Sequence, residues 1–277
     1  MFAKVKSTVE RFPAVATTYR AVRDALRASM TNRRAPAVTP WGFRLLGEPS
    51  MEAGTFEPEE TKFLLEALKR ANVFIDVGAN IGFYTCLARA MNAHCIAIEP
   101  LRSNLDFLSR NILVNGWHDV EVFPVGVGSR PDLVALYGAS TGASVIESWA
   151  GASKLYVRTV PLSTLDIVVG DRFAGRNVLV KIDVEGFECD VLHGARKLLT
   201  AVPAPTWLVE VCFSESHPSG MNPRFREVFE LFWANGYVAT TIDEQPRAVT
   251  ASDVDSWLGD NRRGFGSHNY VFHKPSD

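Results

Sequence analysis

The fold of this chain is decided by the stretch Phe74-Ile75-Asp76-Val77-Gly78-Ala79-Asn80-Ile81-Gly82-Phe83-Tyr84-Thr85. An apolar strand runs into a turn that contains two glycines, and a helix follows the turn. In open α/β sheets, ligands bind at the carboxyl ends of the strands. A glycine in such a turn removes a side chain where a ligand approaches the backbone, or where helix and strand pack closely. The stretch therefore predicts the first strand–turn–helix unit of an α/β sheet, with a ligand site at the turn.

Short apolar strands alternate with longer helical segments after residue 70, which predicts a mostly parallel sheet with helices on both faces. The fold class is thus a doubly wound, Rossmann-like α/β domain. The alternation breaks between residues 131 and 160, where we expect a β insertion or a substrate-facing loop. No helix is evident between the last two strands, so we expect them to pair antiparallel at the sheet edge. The predicted strands are Val73–Val77, Cys95–Glu99, Val120–Val127, Val178–Val184, Trp207–Cys212, Tyr237–Ile242 and Tyr270–His273, and the predicted helices are Pro58–Arg70, Ile81–Met91, Leu101–Asn115, Phe187–Thr200 and Pro223–Asn235.

The first 50 residues differ from the rest of the 277-residue chain because they are basic and their apolar residues recur at helical spacing. We expect a helical arm and linker over residues 1–50 and one domain over residues 51–277. The arm either packs on the domain or lies on a membrane surface or a partner in a biosynthetic complex. A net charge of −2 argues against a nucleic-acid partner. The absence of an apolar leader and of metal-like cysteine spacing predicts a cytoplasmic protein with reduced cysteines.

The turn also indicates the kind of ligand. A nicotinamide-binding turn reads GxGxxG, whereas this one reads GxNxG and is preceded by Asp76. A carboxylate suits the positive charges of S-adenosylmethionine better than a pyrophosphate. Glu99 ends the second strand, where a carboxylate can accept hydrogen bonds from both ribose hydroxyls of an adenosine. We therefore predict S-adenosylmethionine as the cofactor, bound by Asp76, Gly78, Ala79, Asn80, Gly82, Thr85, Glu99, Pro100, Asn104, Val125 and Gly126.

The fourth strand carries a second set of polar residues. Asp183 and Glu185 follow this strand, and Lys181 interrupts it. Methyl transfer to an alcohol benefits from a base that takes the hydroxyl proton, so Asp183, Glu185 and, in the loop after the fifth strand, His217 are candidate bases, with Lys181 holding one carboxylate ionised. The alternative is that these charges form a structural ion-pair network or cap the next helix. Asp183, Glu185 and Glu210 offer oxygen ligands for a divalent cation, but no compact metal-binding motif is present, so we predict no metal.

These motifs resemble the FkbM family of S-adenosylmethionine-dependent methyltransferases. The resemblance spans about residues 39–273, and its most specific parts are Ile75–Thr85 and Lys181-Ile182-Asp183-Val184-Glu185-Gly186-Phe187-Glu188. It implies a class I methyltransferase sheet and an acceptor hydroxyl on a sugar, glycolipid or polyketide-type natural product. Two alternatives stay open: an NAD-linked oxidoreductase on the same scaffold, and a non-catalytic, nucleoside-binding partner in a biosynthetic complex.

Overall fold

The computed structural model describes residues 34–138, 142–152 and 157–275. The predicted helical arm lies almost entirely outside these residues. Within them, one eight-stranded sheet forms the centre of the fold, in the order β5-β4-β3-β9-β10-β13-β11-β12. Its strands are β3 (Val73–Val77), β4 (His94–Ile98), β5 (Glu121–Phe123), β9 (Val178–Ile182), β10 (Thr206–Glu210), β11 (Val238–Thr241), β12 (Ala248–Val249) and β13 (Asn269–His273).

The central sheet is mostly parallel, with one strand inserted antiparallel near one end. Strands β5, β4, β3, β9 and β10 run parallel, and β13 is inserted antiparallel between β10 and β11. All five residues of β3 and all five of β9 are buried. Their side chains alternate between two cores, with Ile75 and Val180 in one and Phe74 and Leu179 in the other. The sheet is therefore covered on both faces, which confirms the predicted doubly wound α/β fold.

Helices cover the two faces, and they begin and end within a few residues of the predicted bounds in most cases. The predicted helix Phe187–Thr200 is wrong in one respect, because it breaks at Gly194. Gly194 follows the last residue of the first of two shorter helices, and a Cβ on it would lie 2.0 Å from the backbone oxygen of Gly128, so a glycine is required at this break. The helices are α1 (Pro49–Ala53), α2 (Pro58–Ala67), α3 (Phe83–Ala90), α4 (Arg102–Leu113), α5 (Leu165–Val169), α6 (Glu188–His193), α7 (Arg196–Leu199), α8 (Phe225–Ala234) and α9 (Ala251–Gly259).

The last part of the sheet agrees with the prediction in pairing but not in position. Strands β11 and β13 pair antiparallel as predicted, whereas helix α9 lies between them in the chain and the short strand β12 forms the edge of the sheet. The Thr250 side chain accepts a hydrogen bond from the backbone of Asp253, and the Asp253 side chain bonds back to Thr250, which starts α9 with a capping box. The Thr250–Asp253 capping box is therefore the sequence pattern that indicates the start of α9.

A smaller sheet confirms the expected β insertion. Strands β6 (Gly126–Val127), β7 (Asp132–Tyr137) and β8 (Val157–Ser163) form it in the order β6-β8-β7. The predicted single strand Val120–Val127 is wrong, because β5 and β6 belong to different sheets. Pro124 separates them, and proline has no N–H to donate to a ladder.

Residues ahead of α1 pack on the domain. Strands β1 (Ala37–Val38) and β2 (Arg44–Leu45) form a hairpin, and Phe43 and Leu45 are buried in the core that contains α3. Asn111 is fully buried and holds this segment by bonding both backbone groups of Leu46. No helix in the described residues is long and apolar enough to cross a membrane.

Candidate active site

A cavity of about 360 Å³ opens where β3, β4, β9 and β10 end, and we call it the cofactor cavity after the ligand that the sequence predicts for this edge of the sheet. The predicted residues that line it come from four separate segments of the chain. Other predicted residues lie outside its lining, namely Asp76, Ala79, Gly82, Thr85, Val125, Lys181 and His217. The lining residues that the sequence predicted are Gly78, Asn80, Glu99, Pro100, Asn104, Gly126, Asp183 and Glu185.

Both glycines of the first turn are required by packing within the protein. Gly78 and Gly82 each have φ of 86°, in the left-handed region that favours glycine. A Cβ on Gly78 would lie 1.9 Å from the backbone oxygen of Asp183, and a Cβ on Gly82 would lie 2.4 Å from Leu108. Gly78 therefore lets the ends of β3 and β9 meet, and Gly82 lets α3 approach α4. Of the two, only Gly78 also lines the cavity.

Glu99 joins the second strand to the glycine turn. Its carboxylate accepts hydrogen bonds from the backbone N–H of Asn80 at 2.9 Å and of Leu101 at 2.8 Å. Burial raises the pKa of Glu99 to about 7 despite these bonds. The side-chain oxygen of Asn80 is buried and has no hydrogen-bond partner among the described residues. The cavity thus presents one carboxylate and one unused acceptor to a ligand.

Asp76 does not face the cavity. Its carboxylate accepts a hydrogen bond of 2.5 Å from the Thr85 hydroxyl, inside the protein. Burial raises the pKa of Asp76 to about 6, while Lys181 and Thr85 act in the opposite direction. Asp76 and Thr85 therefore fix helix α3 against β3 and shape the turn from behind.

Lys181 is buried under the cavity and pairs with Asp183 at 2.7 Å, not with Glu185. Its ammonium also lies 4.9 Å from the ring centre of Tyr84. Burial alone lowers the pKa of Lys181, but Asp183, Glu57 and Asp76 together raise it above its usual value. Lys181 is therefore a permanent cation that holds Asp183 in place, which agrees with the ion-pair role predicted for it.

Glu185 lies in the cavity wall under a different set of constraints. The indole N–H of Trp149 donates to its carboxylate at 2.6 Å, and the Ser144 hydroxyl donates to its backbone oxygen at 2.6 Å. Its φ of 55° lies in the left-handed region, which costs energy for a residue with a side chain. Burial, and then the charge of Asp183, raise the pKa of Glu185 to about 7. Two contacts from the β insertion thus hold a carboxyl group that changes its protonation near neutral pH.

The cofactor cavity is strongly acidic. None of its described lining residues is basic. The charge of Asp183, and then burial, raise the pKa of Glu210 to about 9. Repulsion of this kind favours a ligand that brings positive charge. The acidic residues that line the cavity are Glu48, Glu57, Glu99, Asp183, Glu185 and Glu210.

His217 does not reach the cofactor cavity. Its ring packs edge-to-face on Trp149, with ring centres 5.7 Å apart, and it lines a separate cavity. Trp149 therefore contacts both His217 and Glu185, and the prediction of His217 as a base is not supported by its position. Burial lowers the pKa of His217.

The three acids considered as metal ligands, Asp183, Glu185 and Glu210, all line the cavity, but in the described residues the cluster with ligand-like spacing is Cys189, His193 and Glu227. Those three offer ligand atoms within 4.8 Å of one another. Arg224 donates to Glu227 at 2.8 Å, so its guanidinium already supplies the positive charge that a metal ion would bring to this cluster. Glu188 lies in the first turn of α6, but its side chain does not cap this helix, since it accepts from the backbone N–H of Gly186, ahead of the helix, at 2.8 Å.

Two contributors to the site were missed by sequence reasoning. Glu57 lines the cavity, accepts a hydrogen bond of 2.7 Å from Tyr84 and has φ of 39°. Trp149 is fully buried in an irregular segment of the insertion. The sequence pattern that could have indicated Glu57 is its position directly before Pro58, the first residue of α2. No periodic pattern marks Trp149.

The chain is similar in sequence to known methyltransferases. The profile of the methyltransferase FkbM domain matches residues 76–239. Hexuronic acid methyltransferase AglP of Haloferax volcanii is 28% identical over 148 residues, which cover 53% of this chain and 59% of that protein. The chain thus matches less than two thirds of the length of this relative.

Among solved structures, an O-methyltransferase from Bacillus cereus in complex with SAH has a TM-score of 0.44 at 14% identity, covering 79% of this chain and 82% of that one. The ribosomal protein L11 methylase from Lactobacillus delbrueckii subsp. bulgaricus has a TM-score of 0.42 at 9% identity, covering 78% of each chain.

Proposed function

The chain belongs to the FkbM methyltransferase family, and on that premise we propose that it transfers a methyl group from S-adenosylmethionine to a hydroxyl group. The acceptor is a sugar, a glycolipid or a polyketide-type natural product. The observation that carries the proposal is the position of Glu185, a carboxyl group of raised pKa in the wall of an acidic cavity. Activity, cofactor and acceptor are each open to direct measurement.

The residues of the cofactor cavity fit S-adenosylmethionine. When bound, this cofactor supplies a methyl group on a positively charged sulfur. Glu99 offers acceptors for the ribose hydroxyls, and the unpartnered oxygen of Asn80 offers one for an ammonium or hydroxyl group. The surrounding carboxylates complement the positive charges of the ligand. A pyrophosphate would meet acidic groups and no basic side chain among the described lining residues, which disfavours the NAD-linked alternative.

The choice of base follows from the two carboxylates after β9. Asp183 forms an ion pair with the buried ammonium of Lys181 at 2.7 Å, so its carboxylate is already engaged by a charged donor. Glu185 accepts only a neutral N–H donor from Trp149, and its pKa of about 7 suits proton transfer near neutral pH. We assign the general base to Glu185, with Asp183 and Lys181 as its electrostatic surroundings. On transfer, the carbon–oxygen bond would form as the bond between the methyl carbon and sulfur breaks, S-adenosylhomocysteine would be the leaving group, and Glu185 would take the proton of the acceptor hydroxyl.

The printed name of the Haloferax relative supports a sugar as the acceptor class, since that protein is a hexuronic acid methyltransferase. We extend only the class of compound to this chain, because the match covers 59% of the relative. The proposal further places the protein in the cytoplasm, without a nucleic-acid partner. Association with a membrane surface or a biosynthetic complex through residues 1–30 belongs to the same proposal.

Two measurements test the proposal. Calorimetry should detect binding of S-adenosylmethionine and of S-adenosylhomocysteine but not of NAD. Transfer of a radioactive methyl group to a pooled panel of methyl glycosides should then exceed the same reaction with Glu185→Gln. Binding of NAD alone would favour the oxidoreductase. Nucleoside binding without transfer to any acceptor in the panel would favour the non-catalytic partner.

A further inference from the structure

A second cavity of about 480 Å³ adjoins the cofactor cavity. Val145 and Phe187 line both cavities, so the two share a wall. Gly186 lines the second cavity, and its neighbour Glu185 lines the first. A molecule in the second cavity would therefore lie next to the proposed base. Strand β7 and the loop before α8 form its other sides, and neither contributes to the glycine turn.

The polar groups of the second cavity include both donors and acceptors. The Asp190 carboxylate accepts and the Arg224 guanidinium donates, while the Tyr137 hydroxyl does both. The ring of His217 adds a fourth group: its Nδ1 contacts the Ser219 hydroxyl at 2.7 Å, and no partner in the described residues engages its Nε2. Each hydroxyl of a sugar donates one hydrogen bond and accepts others, so a sugar needs this mixture.

The charge of the second cavity is balanced. The Arg224 guanidinium is hydrogen-bonded to the Asp190 carboxylate, and it also donates to Glu227 at 2.8 Å. A carboxylate or phosphate on a ligand would have to compete with these two acids for the same cation. Neutral hydroxyl groups can bind to the outer faces of the pair without breaking it. The aromatic rings of Tyr137 and Phe187 add apolar surface beside the polar groups, as small-molecule sites usually do.

We propose that the second cavity binds the glycosyl unit that carries the acceptor hydroxyl, and that it selects a neutral sugar over a hexuronic acid. This inference rests on the proposed methyl transfer. It narrows the acceptor to neutral sugars, whereas the name of the Haloferax relative gives a hexuronic acid. The sugar is held in the second cavity, and one of its hydroxyl groups reaches Glu185 across Val145 and Phe187, which line both cavities.

The test fills the second cavity without touching the first. Ala135 lines only the second cavity, so Ala135→Phe should block a sugar there. Leu133→Phe is the matched control, because Leu133 lies on the same strand, is 69% exposed and lines neither cavity. Both proteins are assayed for methyl transfer to a panel of neutral methyl glycosides and to a panel of methyl hexuronides. Calorimetry with S-adenosylmethionine checks the cofactor cavity in each.

The expected result is that wild type and Leu133→Phe transfer methyl groups to a neutral glycoside with similar KM values. In Ala135→Phe that KM should rise about tenfold or more, while the Kd of S-adenosylmethionine changes less than about twofold. If Ala135→Phe does not fold, Tyr137→Phe replaces it, since this change keeps the ring and removes one hydroxyl. An unchanged KM in the cavity variant that folds, or a preference for hexuronides, overturns the inference while methyl transfer to sugars stands. No transfer to either panel by wild type overturns the inference together with the sugar acceptor of the proposed function, and failure to bind S-adenosylmethionine in the calorimetry overturns the proposed function itself.

Discussion

The indole nitrogen of Trp149 donates a hydrogen bond of 2.6 Å to the carboxylate of Glu185, across 36 positions of sequence. The same indole fills the space that a side chain on Gly186 would need, since a Cβ there would lie 2.5 Å from the Trp149 ring. The β insertion is therefore tied directly to the residue that we assign as the base. Trp149 acts as a positioning residue, because its contacts fix where Glu185 can place its oxygens.

Trp149→Phe keeps a ring but removes the N–H. This N–H lowers the pKa of Glu185, so its loss should raise that pKa further above about 7. A base must be deprotonated to act, and the acid limb of kcat/KM should therefore move to higher pH, by about one pH unit for a bond of this kind. The pH profile of methyl transfer measures it. Trp233→Phe, which alters a tryptophan outside both cavities, should leave the limb in place.

Glu185→Gln retains the shape of the side chain and cannot take a proton. We expect kcat to fall by about 10²-fold or more, with the Kd of S-adenosylmethionine nearly unchanged. Asp183→Asn is the companion variant, and it should weaken folding as well, because Lys181 would then be buried without its closest partner. Loss of turnover in folded Asp183→Asn with a mild effect in Glu185→Gln would exchange the two roles.

Glu99→Ala should weaken the binding of S-adenosylmethionine by about 2–4 kcal/mol, because it removes hydrogen bonds to a charged group. The structure adds a second effect: Glu99 also holds the backbone of Asn80 and Leu101, so the melting temperature should fall. Calorimetry and thermal unfolding report the two effects separately. Asp106→Ala, on the exposed side of α4, serves as control. An unchanged Kd in Glu99→Ala would remove this residue from the cofactor site.

Glu188 makes the stability of the protein depend on pH. Burial raises its folded-state pKa from 4.5 to about 8, so the folded state holds this proton more tightly than the unfolded state does. The resulting stabilisation is present below pH 4.5 and is lost as pH rises toward 8. Glu188→Gln mimics the protonated form and cannot lose a proton. Its melting temperature should therefore fall less than that of wild type between about pH 5.5 and pH 8.5, where Glu188 of the folded wild type loses its proton. The surface variant Glu59→Gln should follow wild type, and equal slopes in all three would contradict the assignment.

Deletion of residues 1–30 should leave the binding of S-adenosylmethionine intact. Every described residue that lines the cofactor cavity lies at Glu48 or later in the chain. If the predicted arm packs on the domain, the melting temperature should drop. If it attaches the protein to a membrane or a partner, the truncated protein should lose that association in a vesicle or pull-down assay. A truncated protein unchanged in both respects would contradict both interpretations of the arm.

The predictable part of the site is the part that depends on neighbours in sequence. Local patterns predicted the turn at Gly78, the carboxylate that follows β4 and the Lys181–Asp183 pair. Each of these features depends on only a few neighbouring residues. Two expectations failed where a local rule was overlooked. Pro124 divided one predicted strand, and the capping box at Thr250 started an unpredicted helix.

The sequence by itself determined the order of strands and helices, the glycine turn and the acidic character of the strand ends. Only the tertiary structure decided that Gly78 lies against the Asp183 carbonyl, that Asp76 faces the protein interior and that His217 stands behind Trp149. Local structure follows from backbone sterics and hydrophobic period, which act over a few residues. Contacts of this kind follow from distances in space, and the pairs Gly78 with Asp183 and Trp149 with His217 are tens of residues apart in the sequence.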